Sequence, residues 1–200
     1  MYYLIETQEQ LERFFEGEGN ECYLQFVTNN DDTHPKLQSL CALYIYSFSR
    51  EKGFMINLNH PEGFELDLPM KYLRSYTNIF VKEKAKSLLY IPTLPYTDIQ
   101  SIYYLLKNEP LPALPKTGTH TFYERKFGAN NVNKIIPLAK HYEAMTNEFE
   151  AIYPYIRNYK SEESNKWYNE IFIPTLAKMV SEGFKINDTF KQHFDINEKF

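Results

Sequence analysis

Four acidic residues could hold a divalent cation through carboxylate oxygens, the donors that hard cations prefer. Asp31 and Asp32 lie in the tract Asn-Asn-Asp-Asp-Thr-His-Pro, whose composition is typical of a turn-forming loop. Asp98 directly precedes an apolar helical pattern, where N-capping explains it without any chemistry. Glu143 lies on a long helical pattern, where an exposed helix face is the ordinary environment. The sequence therefore favours loop, cap and surface roles for these residues over a metal site.

The other side chains that could ligate a metal are scattered. The five histidines show neither a His-x-x-x-His nor a Glu-x-x-His spacing, so structural or surface roles are expected for them. Cys22 and Cys41 lie in apolar, strand-like runs, and two thiols alone cannot complete a tetrahedral zinc site. We interpret them as buried free thiols and expect neither a metal nor a cofactor.

Two short tracts carry positive charge that could contact nucleic acid. Lys82, Lys84 and Lys86 form a small basic stripe, although a glutamate interrupts it and a solvated face is the ordinary interpretation. Tyr123 and Lys126 lie in Thr-Phe-Tyr-Glu-Arg-Lys-Phe-Gly, where aromatics among positive charges could stack on unpaired bases. These five residues are candidate DNA contacts, and core packing remains the alternative for the aromatic tract.

The composition is typical of a globular domain. The chain has 200 residues, of which 43% are hydrophobic and 16% aromatic, so it can bury a sizeable core. Its net charge of −4 gives no general attraction for a polyanion, and any DNA contact must be local. The first residues lack a signal-peptide pattern, and no apolar run reaches the length of a membrane span. We expect a soluble, cytoplasmic protein with no membrane partner.

The first part of the chain predicts three antiparallel core strands. Thr7 and Gln10 form a capping box that opens a helix. The strand at residues 40–48 is apolar throughout, which indicates burial on both faces. A polar hairpin loop that ends in Gly53 joins it to the strand at 54–58. Strands are predicted at residues 2–5, 22–28, 40–48 and 54–58.

Helices and strands then alternate, which predicts a mixed α/β sheet. The expected elements are a helix at 69–76, a strand at 78–81, a helix at 88–91, a helix opened by Asp98 and a loop at 109–121. Apolar residues at spacings of four and three from Ile135 predict a long amphipathic helix. A polar break at 157–163 separates it from a last helix. The residues that share one face of that helix are Tyr168, Ile171, Phe172, Thr175, Leu176, Met179 and Val180.

Three segments carry a family resemblance. Segment 168–187 combines a proline inside a helix with the ending Glu-Gly-Phe-Lys-Ile-Asn, segment 40–60 combines a buried strand with Gly-Phe and Ile-x-Leu-x-His, and segment 96–106 opens a helix with Tyr-Thr-Asp. Together they resemble the N-terminal proofreading exonuclease domain of family A DNA polymerases. Asn187 departs from that family, which has an aspartate there.

The resemblance implies a ribonuclease-H-like α/β fold. This fold has a mixed sheet of three antiparallel strands followed by alternating helices and strands, with flanking helices and a long C-terminal helix. It also implies an exonuclease-like domain at 1–160, and a linking helix with the start of a polymerase region at 161–200.

The same resemblance indicates that the metal ligands of the family are missing. Its Asp-x-Glu pair falls on Gln25 and Val27, and the aspartate of its second motif falls on Leu88. Its last aspartate falls on Tyr142, although a one-residue shift would offer Glu143. Because Mg²⁺ needs carboxylates to anchor it, catalysis by two metals is not expected.

The resulting hypothesis is a non-catalytic domain of a family A DNA polymerase, of phage or viral origin, which acts in host cytoplasm. It would serve as a scaffold or position DNA or a partner in replication, with a polymerase domain in cis or in trans and weak contact to single-stranded or primer-template DNA. One alternative is an active exonuclease that uses Mg²⁺ or Mn²⁺ with the relocated carboxylates Asp31, Asp32, Asp98 and Glu143. Another is a free-standing subunit that docks on a separate polymerase chain.

Overall fold

The computed structural model describes residues 3–28, 40–58, 63–109, 111, 123–127, 131–135, 138–157 and 166–182. A six-stranded sheet has the spatial order β1-β4-β3-β2-β5-β6, and β7 and β8 form a separate hairpin. The strands are β1 (Leu4–Ile5), β2 (Glu21–Thr28), β3 (Leu40–Ser47), β4 (Lys52–Asn57), β5 (Asn78–Val81), β6 (Tyr96–Asp98), β7 (Tyr123–Phe127) and β8 (Asn131–Ile135).

The helices flank the sheet. They are α1 (Gln8–Phe15), α2 (Asp67–Leu73), α3 (Lys84–Tyr90), α4 (Ile99–Lys107), α5 (Leu138–Arg157) and the last helix, which combines a π-helical segment (Tyr168–Phe172) with α6 (Ile173–Glu182). The predicted capping box opens α1, because the Thr7 hydroxyl accepts from the Gln10 backbone N–H and the Gln10 side chain accepts from the Thr7 N–H, both at 3.2 Å. Among the described helices, none combines the length and the apolar character that a membrane crossing requires.

The strand directions confirm the predicted mixed sheet. β3 pairs antiparallel with both β2 and β4, whereas β5 pairs parallel with β2, and β6 pairs parallel with β5. The short strand β1 adds a parallel edge to β4. Three antiparallel strands followed by crossover connections therefore place β2 at the centre of the sheet.

The alternation of side chains along β2 divides the core into two layers. Cys22 and Leu24 face the layer covered by α1 and α2, whereas Tyr23 and Val27 face the layer covered by α4 and α5. β3 is buried on both faces, as its continuous apolar sequence predicts. The face of β2 that carries its odd-numbered residues is therefore the face that packs against α5.

The hairpin between β3 and β4 differs in detail from the prediction. Glu51, with φ of 52°, adopts the left-handed conformation of the turn, while Gly53 already lies within β4. A Cβ atom on Gly53 would lie 2.8 Å from Cε2 and Cζ of Tyr44. Glycine is needed here because the Tyr44 ring packs directly against the backbone of the neighbouring strand.

Three elements depart from the sequence expectation. α3 begins at Lys84 rather than at residue 88. Residues 84–87 are helical but show no apolar periodicity, so the sequence pattern did not reveal this first turn. β6 and the β7–β8 hairpin were not predicted. β6 is too short to show alternation, and it exists because it pairs with β5.

The last helix presents a different side to the core than its apolar pattern suggests. Its buried residues are Asn169, Ile173 and Ala177, and it packs against α3. The predicted mid-helix proline, Pro174, is confirmed and lies two residues after the π-helical segment ends at Phe172. The apolar residues predicted to share a face do not form the buried side, because Asn169 bonds to Asp98 and Lys84 and turns its own side of the helix inward. The side chains left exposed are Trp167, Ile171, Phe172, Leu176, Met179 and Val180.

Candidate functional site

Gln25 and Val27 lie on the α5-facing side of β2, where the family resemblance places the first two metal ligands. Val27 is 2% exposed and packs in the apolar layer beneath α5. Gln25 is half-buried, and its side-chain oxygen accepts a hydrogen bond from the Tyr23 hydroxyl at 3.1 Å. This part of the strand therefore offers one amide and no carboxylate.

Lys82 comes beside Gln25 because of the parallel pairing of β2 with β5. Tyr23 pairs with Phe80, and two residues further along each chain Gln25 and Lys82 both contact Glu148. Lys82 follows β5 directly, where the sheet ends and its side chain can reach α5. Its side chain is 29% exposed.

Glu148 of α5 completes a buried polar centre with these two residues. Its side chain is 8% exposed, and one carboxylate oxygen lies 2.6 Å from Lys82 Nζ. The other oxygen accepts a hydrogen bond of 3.5 Å from Gln25 Nε2. Burial raises the pKa of the adjacent Tyr23 hydroxyl well above its usual value, and the negative charge of Glu148 raises it further. We call Gln25, Lys82 and Glu148 the central polar cluster.

Sequence reasoning missed Glu148. It lies three residues after Met145 and four before Ile152, both of which are buried, so it occupies the packed side of α5. An acidic residue on an otherwise apolar stripe is the signal that could have found it. The sequence candidate in this helix, Glu143, is instead exposed.

The other two positions inferred from the family lie elsewhere. Leu88 is partly buried in the layer covered by α1 and α2, on the opposite face of the sheet from Gln25 and Val27. Tyr142 does face the α5 layer, where its hydroxyl donates a hydrogen bond of 3.0 Å to the Gly53 carbonyl. The structure thus brings Gln25, Val27 and Tyr142 to one face and leaves Leu88 on the other.

Asp98 is an N-cap, as its sequence context predicts, and it also joins three helices. One carboxylate oxygen accepts from the Ser101 N–H at 2.7 Å and the other from the Lys84 N–H at 2.6 Å. The Asp98 N–H donates to the Asn169 side chain at 2.7 Å, and Lys84 Nζ donates to the Asn169 carbonyl at 2.6 Å. This network ties α3 and α4 to the last helix.

Burial dominates the electrostatics of this network. It raises the pKa of Asp98 to about 6, although the N–H groups of Lys84 and Ser101 oppose the shift. Burial likewise lowers the pKa of Lys84, and the nearby carboxylate of Asp98 opposes that shift. The buried side chains of Asp98 and Lys84 therefore hold α3, α4 and the last helix together.

The candidate DNA contacts do not form an exposed stripe. Lys84 is buried and donates to the Asn169 carbonyl, whereas Lys82 is paired with Glu148. Lys86 is half-buried and lines a cleft between α3 and the last helix. Tyr123 and Lys126 lie on β7, and their side chains fall outside what the structure describes. Asp31 and Asp32 also lie outside the described residues.

The central polar cluster does not fit a divalent-metal centre. Its single carboxylate is already paired with an ammonium group, and Val27 has no donor atom. Across the described residues, no group of three or more His, Cys, Asp or Glu side chains could hold a metal ion.

Comparison with solved structures identifies the fold. A nuclease solved in its apo form has a TM-score of 0.53 at 14% identity, over 94% of this chain and 97% of that one. Escherichia coli RNase D, an exoribonuclease involved in structured RNA processing, has a TM-score of 0.46 at 14% identity, over 98% and 54%. RNase D of Trypanosoma brucei, in complex with the RNA U12, has a TM-score of 0.41 at 14% identity, over 51% and 38%.

The match with the apo nuclease, together with the strand order, shows the fold of this chain. The chain has the ribonuclease-H-like fold that nucleases use, and the match with the apo nuclease spans almost the whole of both chains. The chain spans only about half the length of the E. coli enzyme, 54%, and 38% of the trypanosomal one. No protein-family model and no curated protein matches its sequence.

Proposed function

We propose that this chain is a non-catalytic exonuclease-like domain that serves as a scaffold or positions DNA or a protein partner. The observation that carries the proposal is the central polar cluster. On the strand face where the resemblance places two carboxylates, the structure has an amide, a valine and an internal ion pair between Lys82 and Glu148.

The charge balance supports this proposal. Two-metal phosphodiester cleavage needs cations that activate water and stabilise the leaving oxygen. Lys82 brings a single positive charge, which Glu148 already neutralises, and an ammonium group cannot coordinate a water molecule as a metal does. The cluster therefore offers neither a nucleophile nor an electrophile to a phosphodiester.

The active-nuclease alternative receives no support from the described residues. Both carboxylate oxygens of Asp98 accept backbone N–H groups, so each oxygen already has a partner within the fold. Glu143 is exposed on α5, outside any cluster of acidic residues that the described ranges contain. Asp31 and Asp32, the other two carboxylates of this alternative, lie outside the described residues.

We further propose that the partner is a polymerase of family A, joined in cis or docked in trans, and that the domain functions in DNA replication of a phage or virus. This rests on the sequence resemblance, which includes the mid-helix proline found at Pro174. The gene sequence beyond Phe200 separates the two arrangements. Continuation into polymerase motifs would exclude a free-standing subunit.

Nuclease assays test the main proposal. The protein is incubated with single-stranded DNA, a mismatched primer-template and single-stranded RNA, each with Mg²⁺ or Mn²⁺, beside an exonuclease of known activity. We expect no metal-dependent shortening of any substrate. Degradation that disappears in Glu143→Gln or Asp98→Asn, with the fold intact by circular dichroism, would overturn the proposal.

DNA binding is tested separately by fluorescence anisotropy with labelled single-stranded and primer-template DNA. We expect weak binding that falls steeply with salt, because only local positive charge is available. Tight binding that does not depend on salt would show that the domain recognises DNA by contacts other than those proposed.

A further inference from the structure

The last helix exposes an unusually apolar surface. Six large apolar side chains between Trp167 and Val180 are each 39% to 55% exposed, although this helix is only a few turns long. Their apolar surface borders an open cleft of about 590 Å³ between α3 and the last helix. Such a continuous apolar surface on a single helix is typical of an interaction site. We call these six residues the apolar face: Trp167, Ile171, Phe172, Leu176, Met179 and Val180.

The charged residues beside the apolar face have a symmetric order. Reading along the helix, the exposed charges are Lys166, Glu170, Lys178 and Glu182, with Pro174 midway between them. Lys166 and Glu182 are equally distant from Pro174 in sequence, and so are Glu170 and Lys178. Within each equidistant pair the two charges are opposite.

This order fits a second copy of the same helix in antiparallel orientation. A two-fold axis beside Pro174 would place Lys166 of one copy next to Glu182 of the other, and Glu170 next to Lys178. A parallel arrangement in register would instead place each charge against its like. The two-fold symmetry is that of an isologous dimer, in which one surface patch meets itself.

We propose that two copies of this chain associate through the apolar face of the last helix, antiparallel, with the two-fold axis beside Pro174. The apolar side chains supply the attraction, since each loses its contact with water. The flanking charges fix orientation and register, as charge pairs do in coiled coils. Lys178 Nζ and Glu182 Oε1 also lie 3.9 Å apart within one copy. In the dimer the Glu182 carboxylate would therefore lie near two cations, Lys178 of its own copy and Lys166 of the other.

Mass measurement over a range of protein concentrations tests the dimer. We expect light scattering after size exclusion to give twice the 23.8 kDa chain mass, and Ile171→Glu to give the monomer. Trp167 is the one tryptophan of the chain, so its emission should shift to the blue as the dimer forms. A wild-type protein that stays monomeric at high micromolar concentration would overturn the proposal, whether the face is covered by another segment of the chain or by a different protein.

Charge exchange tests the register. Lys178→Glu creates two like-charge contacts across the axis, so the dissociation constant should rise roughly tenfold. The double variant Glu170→Lys with Lys178→Glu restores opposite charges and should restore affinity. Lys107→Glu, at the exposed end of α4, is the matched control and should leave the dissociation constant unchanged. A double variant as weak as the single one would overturn the antiparallel arrangement.

Discussion

At the residue scale, the central polar cluster depends on a balance of charge in a largely buried place. Glu148 is 8% exposed, so its carboxylate has lost most of its hydration, and Lys82 compensates at 2.6 Å. Gln25 adds a weaker hydrogen bond to the second oxygen. Removing one partner of such a pair costs much more than replacing both, because the remaining charge stays buried without compensation.

We therefore predict that Lys82→Met lowers the free energy of unfolding by on the order of 3 kcal/mol, as measured by urea denaturation at pH 7. The double variant Lys82→Met with Glu148→Leu should recover most of that loss, since no charge is left unpaired. Lys107→Met, on an exposed part of α4, should change stability by less than about 0.5 kcal/mol. Equal losses in the single and double variants would contradict the buried-pair account.

Asp98 gives a pH-dependent contribution to stability. Burial raises its pKa to about 6 in the folded protein, above the value of about 3.9 for an unfolded aspartate. Between these pH values the folded protein binds more protons at this site than the unfolded chain does. The contribution of Asp98 to stability is thus fully present below about pH 4 and is lost as the pH rises through 6.

For Asp98→Asn we predict that the wild-type decline between pH 4 and pH 6, up to about 1.4 kcal/mol per pH unit from this group, disappears. The difference in unfolding free energy between the two proteins isolates it from other groups. The variant should also be less stable at pH 7, where ionised Asp98 offers one oxygen to each N–H group of Lys84 and Ser101, because an amide has a single oxygen for both. Parallel stability curves would show that Asp98 does not carry this shift.

At the element scale, the attachment of the last helix depends on polar contacts as much as on apolar ones. Asn169 is buried, its side chain accepts from the Asp98 N–H, and its carbonyl accepts from Lys84 Nζ. Ile173 and Ala177 provide the apolar part of the contact with α3. A helix that is held by one buried asparagine should be sensitive to loss of that side chain.

Asn169→Ala should cost about 1–3 kcal/mol, because the Asp98 N–H is left buried without an acceptor. We also expect faster hydrogen exchange in residues 166–182, with little change in β2 and β3. Thr175→Ala, an exposed position of the same helix, is the matched control and should not alter exchange near Asp98. Unchanged exchange in the asparagine variant would mean that apolar packing alone holds the helix.

At the scale of the whole molecule, the chain has a ribonuclease-H-like fold, and an ion pair between Lys82 and Glu148 lies between its sheet and α5. A metal that binds the native state stabilises it by mass action, and at a hundredfold excess over Kd the gain is about 2.7 kcal/mol. For a domain of this size that would raise Tm by about 5–10 °C. We expect no such gain at the central polar cluster, because its one carboxylate is paired with Lys82.

We predict that neither millimolar Mg²⁺ nor Mn²⁺, nor removal of metals by a chelator, changes Tm by more than about 1 °C. Differential scanning calorimetry measures this at constant ionic strength, so that general salt effects cancel. Ca²⁺ at the same concentration is the control for non-specific divalent effects. A rise specific to Mn²⁺ and absent in Glu148→Gln would reveal a cation site at the cluster.

The sequence determined the parts of this protein that depend on short-range patterns. The capping box of Thr7, the doubly buried strand β3, the N-cap of Asp98 and the proline inside the last helix were all predictable, because each is specified by residues a few positions apart. The order of antiparallel and parallel strands followed from the same local elements and from the rules of chain connection.

Tertiary structure alone decided which side chains meet. Lys82 directly follows β5 and Glu148 lies on α5, far away in sequence. Their ion pair depends on how β5 pairs with β2 and how α5 packs on the sheet. The buried side of the last helix follows from the contacts of Asn169 with Asp98 and Lys84, against the apolar pattern of the helix itself. Contacts between residues far apart in sequence depend on how whole faces pack, and no local pattern specifies that packing.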